Sequence, residues 1–289
     1  MAVYERTYHR YDGPLTTPLR RFLVVPRYAL AGVMRSRAFV MFYLLCFLPP
    51  FAGLIAIYLR HNLSALKLLN LPLDRLREAL PIDARFFMGG LSLQGFLAFV
   101  LAVVVAPALI SPDLRNNGLA LYLSRPFSRA EYVAGKLSVL ALLISTITWI
   151  PGILLFLLQG YLEGAGWFVE QGRVLGALFA GSWVLIVSLS LLALAVSAWV
   201  KWKPVARIVL LILFFVMNGF GRVMEMALGT WWSELLSMRV VVETVWAGLF
   251  GVELPTGMPV AAAWTALVAG SLLCLGLLLR RVRAYEVVR

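Results

Sequence analysis

The sequence has little charge and few cysteines and histidines, and each scarcity excludes a class of protein. Only 14% of the 289 residues are charged while 62% are hydrophobic, which leaves more apolar surface than one soluble core can bury. Cys46 and Cys274 lie in apolar runs, where a thiol acts as a small apolar group, so no disulfide framework is expected. His9 and His61 have no second ligand at a matching spacing, so no metal site is expected. The chain is therefore expected to be embedded in a lipid bilayer.

Long apolar runs fill most of the chain and predict an all-α polytopic membrane protein with six transmembrane helices. A helix needs about 20 apolar residues to cross a bilayer. The runs cover residues 39–59, 91–110, 137–159, 174–200, 207–220 and 260–279. The fifth run is short, so its helix either continues past Arg222 or turns back within the membrane. One transmembrane domain over residues 39–279 leaves no room for an added soluble domain.

The basic residues are concentrated in alternate segments between these runs. Residues 1–38, 111–136, 201–207 and 280–289 hold 18 of the 26 Lys and Arg but five of the 14 acids. Because basic loops stay in the cytoplasm during insertion, both termini are expected inside a bacterial cytoplasmic (inner) membrane. The net charge of +12 is also expected to attract anionic membrane lipids. Nucleic-acid binding is not expected, because no Arg-rich tail or basic patch interleaved with aromatics is present.

Segments outside the runs predict further short helices. The cytoplasmic N-terminal region, residues 1–38, interleaves apolar residues with arginines from residue 18 to 37, which predicts an amphipathic interfacial helix, although a simple basic flank is the alternative. The extracytoplasmic segment 60–90 carries a stripe of leucines spaced three and four apart. The extracytoplasmic segment 222–259 mixes tryptophans with acids and predicts short helices at the membrane interface. Residues 280–289 form a basic cytoplasmic tail.

The loop between the second and third runs, residues 111–136, carries two helix-start signals. Ser111 is predicted to cap a short helix that has Pro112 at its first position. Ser128 and Glu131 are predicted to form a capping box that opens the third spanning helix. A short cytoplasmic helix held between two membrane helices is placed to transmit force from a soluble partner into the bundle.

From residue 110 to 136 the sequence resembles the permease subunits of ABC-2 type (type V) ABC transporters. An acid follows the second span, and a Leu-Ser-Arg-Pro-x-Ser-Arg-x-Glu-Tyr-x-x-Gly-Lys run leads into the third. The six spans, the N-terminal interfacial helix and the helical insert before the sixth span extend the resemblance to essentially the whole chain. The resemblance implies that this loop is the coupling helix, which seats in a groove on an ATPase subunit. It assigns to that contact or its support Asp113, Arg125, Pro126, Arg129, Glu131 and Lys136.

Two alternatives to this interpretation of the loop remain open. Each residue taken alone is better explained as part of a capped connection whose positive charges only hold it inside. Arg125 and Arg129 have the chemistry to bind lipid phosphates instead of a protein partner. The assignment of the loop to an ATPase contact therefore depends on the combination of residues and not on any one of them.

The chain is not expected to hydrolyse ATP or to be an enzyme. A phosphate-cradling loop needs an upstream glycine and a Lys followed by Ser or Thr, but Ala130 and Leu137 stand at those places around Lys136. No catalytic residue and no cofactor are assigned to this chain. The resemblance implies a separate ABC-type ATPase dimer that binds ATP and Mg²⁺, and a second permease copy or a homologous permease.

The expected function is that of a permease subunit that exports a hydrophobic or amphipathic molecule. Asn218 and Arg222 are the polar candidates for a transport path or a dimer seam. A membrane-embedded lipid-modifying enzyme that uses Glu225 and Glu234 is one alternative. A non-transporting scaffold that binds an ATPase is another.

Overall fold

The computed structural model describes residues 18–62, 81–116, 128–253 and 257–282. Within these ranges every regular element is a helix. The elements are α1 (Pro18–Met34), α2 (Arg37–Leu45), α3 (Leu48–His61), α4 (Ala84–Arg115), α5 (Arg129–Ile147), α6 (Trp149–Glu163), α7 (Ala165–Glu170), α8 (Gly172–Trp199), α9 (Lys203–Leu228), a 3₁₀ helix (Trp231–Leu236), α10 (Met238–Phe250) and α11 (Val260–Arg281). The leucine stripe of segment 60–90 falls at positions 66–80, outside the described residues.

Six of the helical spans are long and apolar enough to cross a membrane. They are Arg37–His61, Ala84–Arg115, Arg129–Glu163, Gly172–Trp199, Lys203–Leu228 and Val260–Arg281, with 22 to 35 residues each. All exceed the length of about 20 residues that a bilayer requires. The prediction of an all-α, multi-pass membrane protein with six spans is confirmed.

The first and third spans are each broken into two helices at a proline. In the first span, Pro49 and Pro50 lie in the first turn of α3, and the chain bends at Cys46. Pro50 has no N–H for the carbonyl of Cys46 four residues earlier. The side-chain amide of Gln94 donates to that carbonyl instead, at 3.2 Å. The second span therefore supplies the hydrogen bond that the proline removes from the first.

The second and fourth spans form the centre of the bundle. In the most apolar window of each, 61% of the residues are buried, against 11% in the first and sixth spans. Small residues such as Ala98, Ala102 and Ala106 follow one face of α4 and are fully buried, which lets neighbouring helices approach closely. The first, fifth and sixth spans present apolar side chains outward, as lipid-facing helices do.

The fifth span continues past Arg222 and then the chain folds back on it. Helix α9 ends at Gly229, which has a left-handed conformation with φ of 63°. The 3₁₀ helix then packs against α9, and a Cβ at Gly221 would lie 3.0 Å from the carbonyl oxygen of Ser233. The Ser237 hydroxyl donates to the side-chain oxygen of Asn218. The fold-back leaves residues 229–259, and not 222–259, as the insert before the sixth span.

Helix α10 packs against the second, fourth, fifth and sixth spans, and its Trp246 is buried in protein. The predicted interfacial depth of segment 222–259 stays a prediction. The Trp246 side chain is 2% exposed, and its indole N–H donates to the carbonyl of Gly181 at 2.9 Å. A Cβ at Gly181 would lie 2.9 Å from the indole ring, and one at Gly95 would lie 3.0 Å from it. The ring occupies a gap that only glycines on the second and fourth spans leave open. Trp232, by contrast, is 65% exposed.

Candidate functional site at the basic end of the bundle

One end of the bundle gathers most of the described positive charge. The end of the second span, the start of the third, the end of the fourth, the start of the fifth and the end of the sixth meet there. We refer to it as the basic end, and its described cations are Arg27, Arg35, Arg37, Arg115, Arg129, Lys136, Lys201, Lys203, Arg207, Arg280 and Arg281. The described acids of this end are Asp113 and Glu131. The basic end is the end from which the 111–136 loop projects.

Asp113, Tyr132 and Lys136 form a cluster that joins the second and third spans, and we call it the Asp113 clamp. Lys136 Nζ lies 2.9 Å from Asp113 Oδ2, and the Tyr132 hydroxyl donates to the same oxygen at 2.8 Å. Lys136 also donates to the carbonyl of Leu109 at 2.7 Å. Tyr132 and Lys136 are four residues apart, so both project from one face of α5. The clamp fixes the end of α4 to the start of α5.

Burial makes this clamp costly to break. Lys136 is 5% exposed and Tyr132 is fully buried. A buried ammonium group is tolerated only where a charge and hydrogen-bond acceptors compensate it. The Asp113 carboxylate and the Leu109 carbonyl supply both compensations. Two of the residues predicted for a partner contact or its support, Asp113 and Lys136, therefore bind each other within the bundle.

The predicted helix start at Ser111 is wrong. Ser111 and Pro112 lie inside α4, which continues to Arg115. The fully buried Ser111 hydroxyl lies 3.2 Å from the carbonyl oxygen of Ser197 and 3.0 Å from that of Val200. These carbonyls belong to the last turn of α8, where helical donors are missing. The Ser111 hydroxyl thus provides a hydrogen-bond donor for the carbonyls at the C-terminus of the fourth span, and Ser111 does not start a new helix.

The predicted capping box at the start of the third span is confirmed. The Glu131 backbone N–H donates to the Ser128 hydroxyl at 3.1 Å, and the Ser128 N–H donates to the Glu131 carboxylate at 2.6 Å. Arg129, the first residue of α5, is exposed. The start of the third span is therefore fixed in position while its arginine faces outward. Arg125 and Pro126 lie outside the described residues.

Two further contacts tie the basic end together, and neither has a local signal in the sequence. A Cβ at Gly135 would lie 3.1 Å from Val25 of α1, so glycine allows the N-terminal helix to pack closely against the third span. The guanidinium of Arg115 lies 5.8 Å from the ring centroid of Trp202, a cation–π contact between the second span and the residue that precedes the fifth. Both contacts join residues that are distant in sequence.

Asn218 and Arg222 do not join the site at the basic end. Both lie in the second half of α9, toward the opposite end of the bundle. Asn218 is bonded to Ser237, and Arg222 is exposed. Their assignment to a path or a dimer seam stays a prediction.

The acids of the alternative enzyme prediction, Glu225 and Glu234, lie near each other at the opposite end. Burial, together with the neighbouring Glu225 carboxylate, raises the pKa of Glu234 above its ordinary value. Glu234 is 5% exposed. Among the described residues no group of three or more His, Cys, Asp or Glu side chains is arranged to hold a metal ion.

We expect Glu234→Gln to change the pH dependence of stability. Because the folded protein holds the Glu234 proton more tightly than the unfolded chain does, this carboxyl contributes stability below its ordinary pKa of 4.5. That contribution is lost as the pH rises through the raised value. Glu234→Gln should therefore raise the unfolding temperature in detergent more at pH 8 than at pH 5. The exposed Glu253→Gln is the control, and an equal effect of Glu234→Gln at both pH values would contradict the interpretation.

Comparison with known proteins does not assign the chain to a family. No family model matches the chain, and no curated protein matches it in sequence. The resemblance of residues 110–136 to ABC-2 permeases is therefore an interpretation of those residues alone. The function has to be argued from the bundle, its basic end and its cavities.

Proposed function

We propose that this multi-pass membrane protein is the permease subunit of an ABC transporter and moves a hydrophobic or amphipathic molecule outward. The observation that carries the proposal is the Asp113 clamp. It joins the two spans that flank the 111–136 loop, at 2.9 Å between Lys136 and Asp113. A segment held at both ends by buried contacts passes a displacement on to the helices that hold it.

The second span connects this loop with the other end of the bundle. Helix α4 is continuous over 32 residues, about 48 Å at 1.5 Å per residue. It is also among the most buried spans. A movement of Asp113 along the helix axis is therefore passed toward residues near Ala84, because close-packed interiors transmit strain.

The surroundings of the loop suit a soluble partner that supplies energy. We infer that the basic end faces the cytoplasm of a bacterial inner membrane, because basic loops stay inside. The exposed Arg129 and Arg125, four positions earlier in the sequence, would contact an ABC-type ATPase dimer that binds ATP and Mg²⁺. A second permease copy, or a homologous permease, would complete the path across the outward apolar faces of the first and fifth spans. The positive charge of this end also suits anionic lipid headgroups.

Co-purification tests the proposal. The tagged chain is extracted in mild detergent, its companions are identified by mass spectrometry, and ATP hydrolysis is measured. We expect an ABC-type ATPase to co-purify, and Arg125→Glu together with Arg129→Glu to reduce the bound ATPase by about tenfold or more, since 1.4 kcal/mol of lost contact energy is tenfold in affinity. The control, Arg85→Glu, reverses an exposed arginine at the opposite end and should leave the ATPase bound.

The alternatives give different results in the same experiment. A scaffold would bind the ATPase, but a transported molecule would not stimulate hydrolysis. A lipid-modifying enzyme would purify without a nucleotide-hydrolysing partner and would lose activity with Glu225→Gln or Glu234→Gln. Either result contradicts the permease proposal.

A further inference from the structure

A cavity of about 390 Å³ opens at the end of the bundle opposite the Asp113 clamp. Its volume falls within the range of about 300–1,000 Å³ that is usual for sites of small ligands. Side chains of α4, α8, α9 and α10 line it, and its inner part is apolar. The apolar lining includes Leu93, Phe96, Phe99, Leu185, Phe214 and Trp246. Phe99 and Phe214 stack there with ring centroids 3.9 Å apart.

Three polar side chains occupy the wall of the cavity nearest the start of α4. The Ser92 hydroxyl donates to Glu243 Oε1 at 2.8 Å, and Arg239 Nε lies 3.0 Å from the same oxygen. Ser92 is seven residues before Phe99 on α4, which separates the polar wall from the phenylalanines by about 10 Å along the helix. The cavity therefore has one charged part and one apolar part, as a site for an amphiphile requires.

Among the described residues, the polar wall has a hydrogen-bond acceptor and hydrogen-bond donors that are not engaged. Both contacts to Glu243 go to Oε1, so Oε2 has no partner within the described ranges. Only Nε of Arg239 is engaged there, which leaves the two terminal amino groups of its guanidinium. The Arg239 side chain is 55% exposed and the Glu243 side chain 24%. A ligand has access to an acceptor and to a pair of donors that lie side by side.

We propose that this cavity binds a zwitterionic phospholipid whose headgroup carries a phosphate and a primary ammonium. The phosphate would accept two hydrogen bonds from Arg239, the geometry that a guanidinium favours. The ammonium would donate to the free oxygen of Glu243, and an acyl chain would lie along Phe96 and Phe99. A purely anionic headgroup would face the Glu243 carboxylate, and a headgroup without N–H donors would leave Oε2 of that carboxylate without a hydrogen bond.

The assignment of this cavity as the binding site of the transported molecule rests on the proposed function. Helix α4 carries Ser92 at the cavity and Asp113 at the clamp, about 30 Å apart along one continuous helix. Binding of the lipid itself does not require an ATPase. The lipid-binding test therefore uses the purified chain alone.

Thermal unfolding in mild detergent measures the binding. The purified protein is stripped of lipid and titrated with dioleoyl phosphatidylethanolamine, phosphatidylglycerol or phosphatidylcholine, since a ligand of the folded state raises the unfolding temperature with its concentration. We expect phosphatidylethanolamine to bind about tenfold tighter than either other lipid, as one charge-assisted hydrogen bond provides.

Variants of the two charged residues assign the headgroup contacts. Arg239→Ala should weaken binding of phosphatidylethanolamine by about ten- to a hundredfold, because a hydrogen-bonded charge pair is lost. Glu243→Gln keeps an oxygen for Ser92 and removes the charge that holds the ammonium. It should abolish the preference for phosphatidylethanolamine over phosphatidylglycerol.

A pair of neighbouring glycines tests whether the lipid occupies this cavity. Gly89 lines this cavity, and Gly90 does not; a Cβ at either position meets no atom within 4 Å. Gly89→Leu should fill part of the cavity and weaken lipid binding about tenfold, as one or two lost methylene contacts do. Gly90→Leu adds the same side chain one position along the helix and should leave binding unchanged.

Binding of phosphatidylglycerol or phosphatidylcholine as tight as that of phosphatidylethanolamine would overturn the ligand assignment. Equal effects of Gly89→Leu and Gly90→Leu would overturn the position in the cavity. If the ATPase co-purifies but no lipid preference appears, only the lipid site fails. If the preference appears and no ATPase is found, the lipid site stands and the proposed function fails.

Discussion

Replacing Lys136 by methionine is expected to uncouple the loop from the bundle and to destabilise the fold. The change keeps the length of the side chain and leaves Asp113 and the Leu109 carbonyl without the ammonium that binds both. Breaking a fully buried ion pair costs about 3–5 kcal/mol. Asp113 keeps 20% exposure, so we expect a loss of about 2–3 kcal/mol, with the remainder recovered by water. Thermal unfolding in detergent and the amount of co-purified ATPase measure the two effects.

A double variant separates stability from coupling. Asp113→Leu together with Lys136→Met leaves no unpaired charge, and replacement of a buried pair by apolar residues is often neutral. The double variant should regain most of the lost stability and still show reduced ATPase stimulation, because the two spans are no longer joined by the clamp. Lys201→Met, which removes an exposed lysine at the same end, is the control for charge. Full stimulation in a stable double variant would contradict a coupling role of the clamp.

The second large effect is expected from Trp246→Ala. This side chain is 2% exposed and fills the gap left by Gly95 and Gly181. Removal of a buried tryptophan costs about 3–5 kcal/mol through lost transfer energy and the cavity left behind. The lost indole hydrogen bond to the Gly181 carbonyl leaves that acceptor still bonded within its helix. Thermal unfolding should therefore shift to a much lower temperature.

Trp232→Ala is the matched control, because this ring is 65% exposed. It loses a stacking contact with Trp231 at 4.2 Å between centroids and should cost less than about 1.5 kcal/mol. Trp246→Phe keeps most of the ring volume and should fall between the two. Equal losses for Trp246→Ala and Trp232→Ala would show that α10 is not part of the core.

Hydropathy alone predicted six spans, because the length and composition of each are local properties. The bounds of the fifth span were not predictable in the same way. The apolar run ends near Phe220, but α9 continues to Leu228 and its last turns pack against the returning 3₁₀ helix. Asn218, for example, is bonded to Ser237, a partner that exists only once the chain folds back.

The candidate site was predictable in its composition and not in its contacts. The capping box at Ser128 depends on residues three apart, so its spacing is visible in the sequence. The acceptors of Ser111 lie 86 and 89 residues away, and nothing local indicates them. The sequence singled out Asp113 and Lys136 for a partner contact or its support, and the structure pairs them with each other. A buried pair across two helices is a tertiary property.

Photocrosslinking in native membranes tests the central claim most directly. A photoreactive amino acid is placed at position 129, on the exposed start of the third span, and separately at position 169, where Val169 is 86% exposed at the opposite end. Mass spectrometry of the crosslinked products should identify an ABC-type ATPase from position 129 and not from position 169. Absence of that product from position 129, or the same product from both positions, would contradict coupling through the basic end.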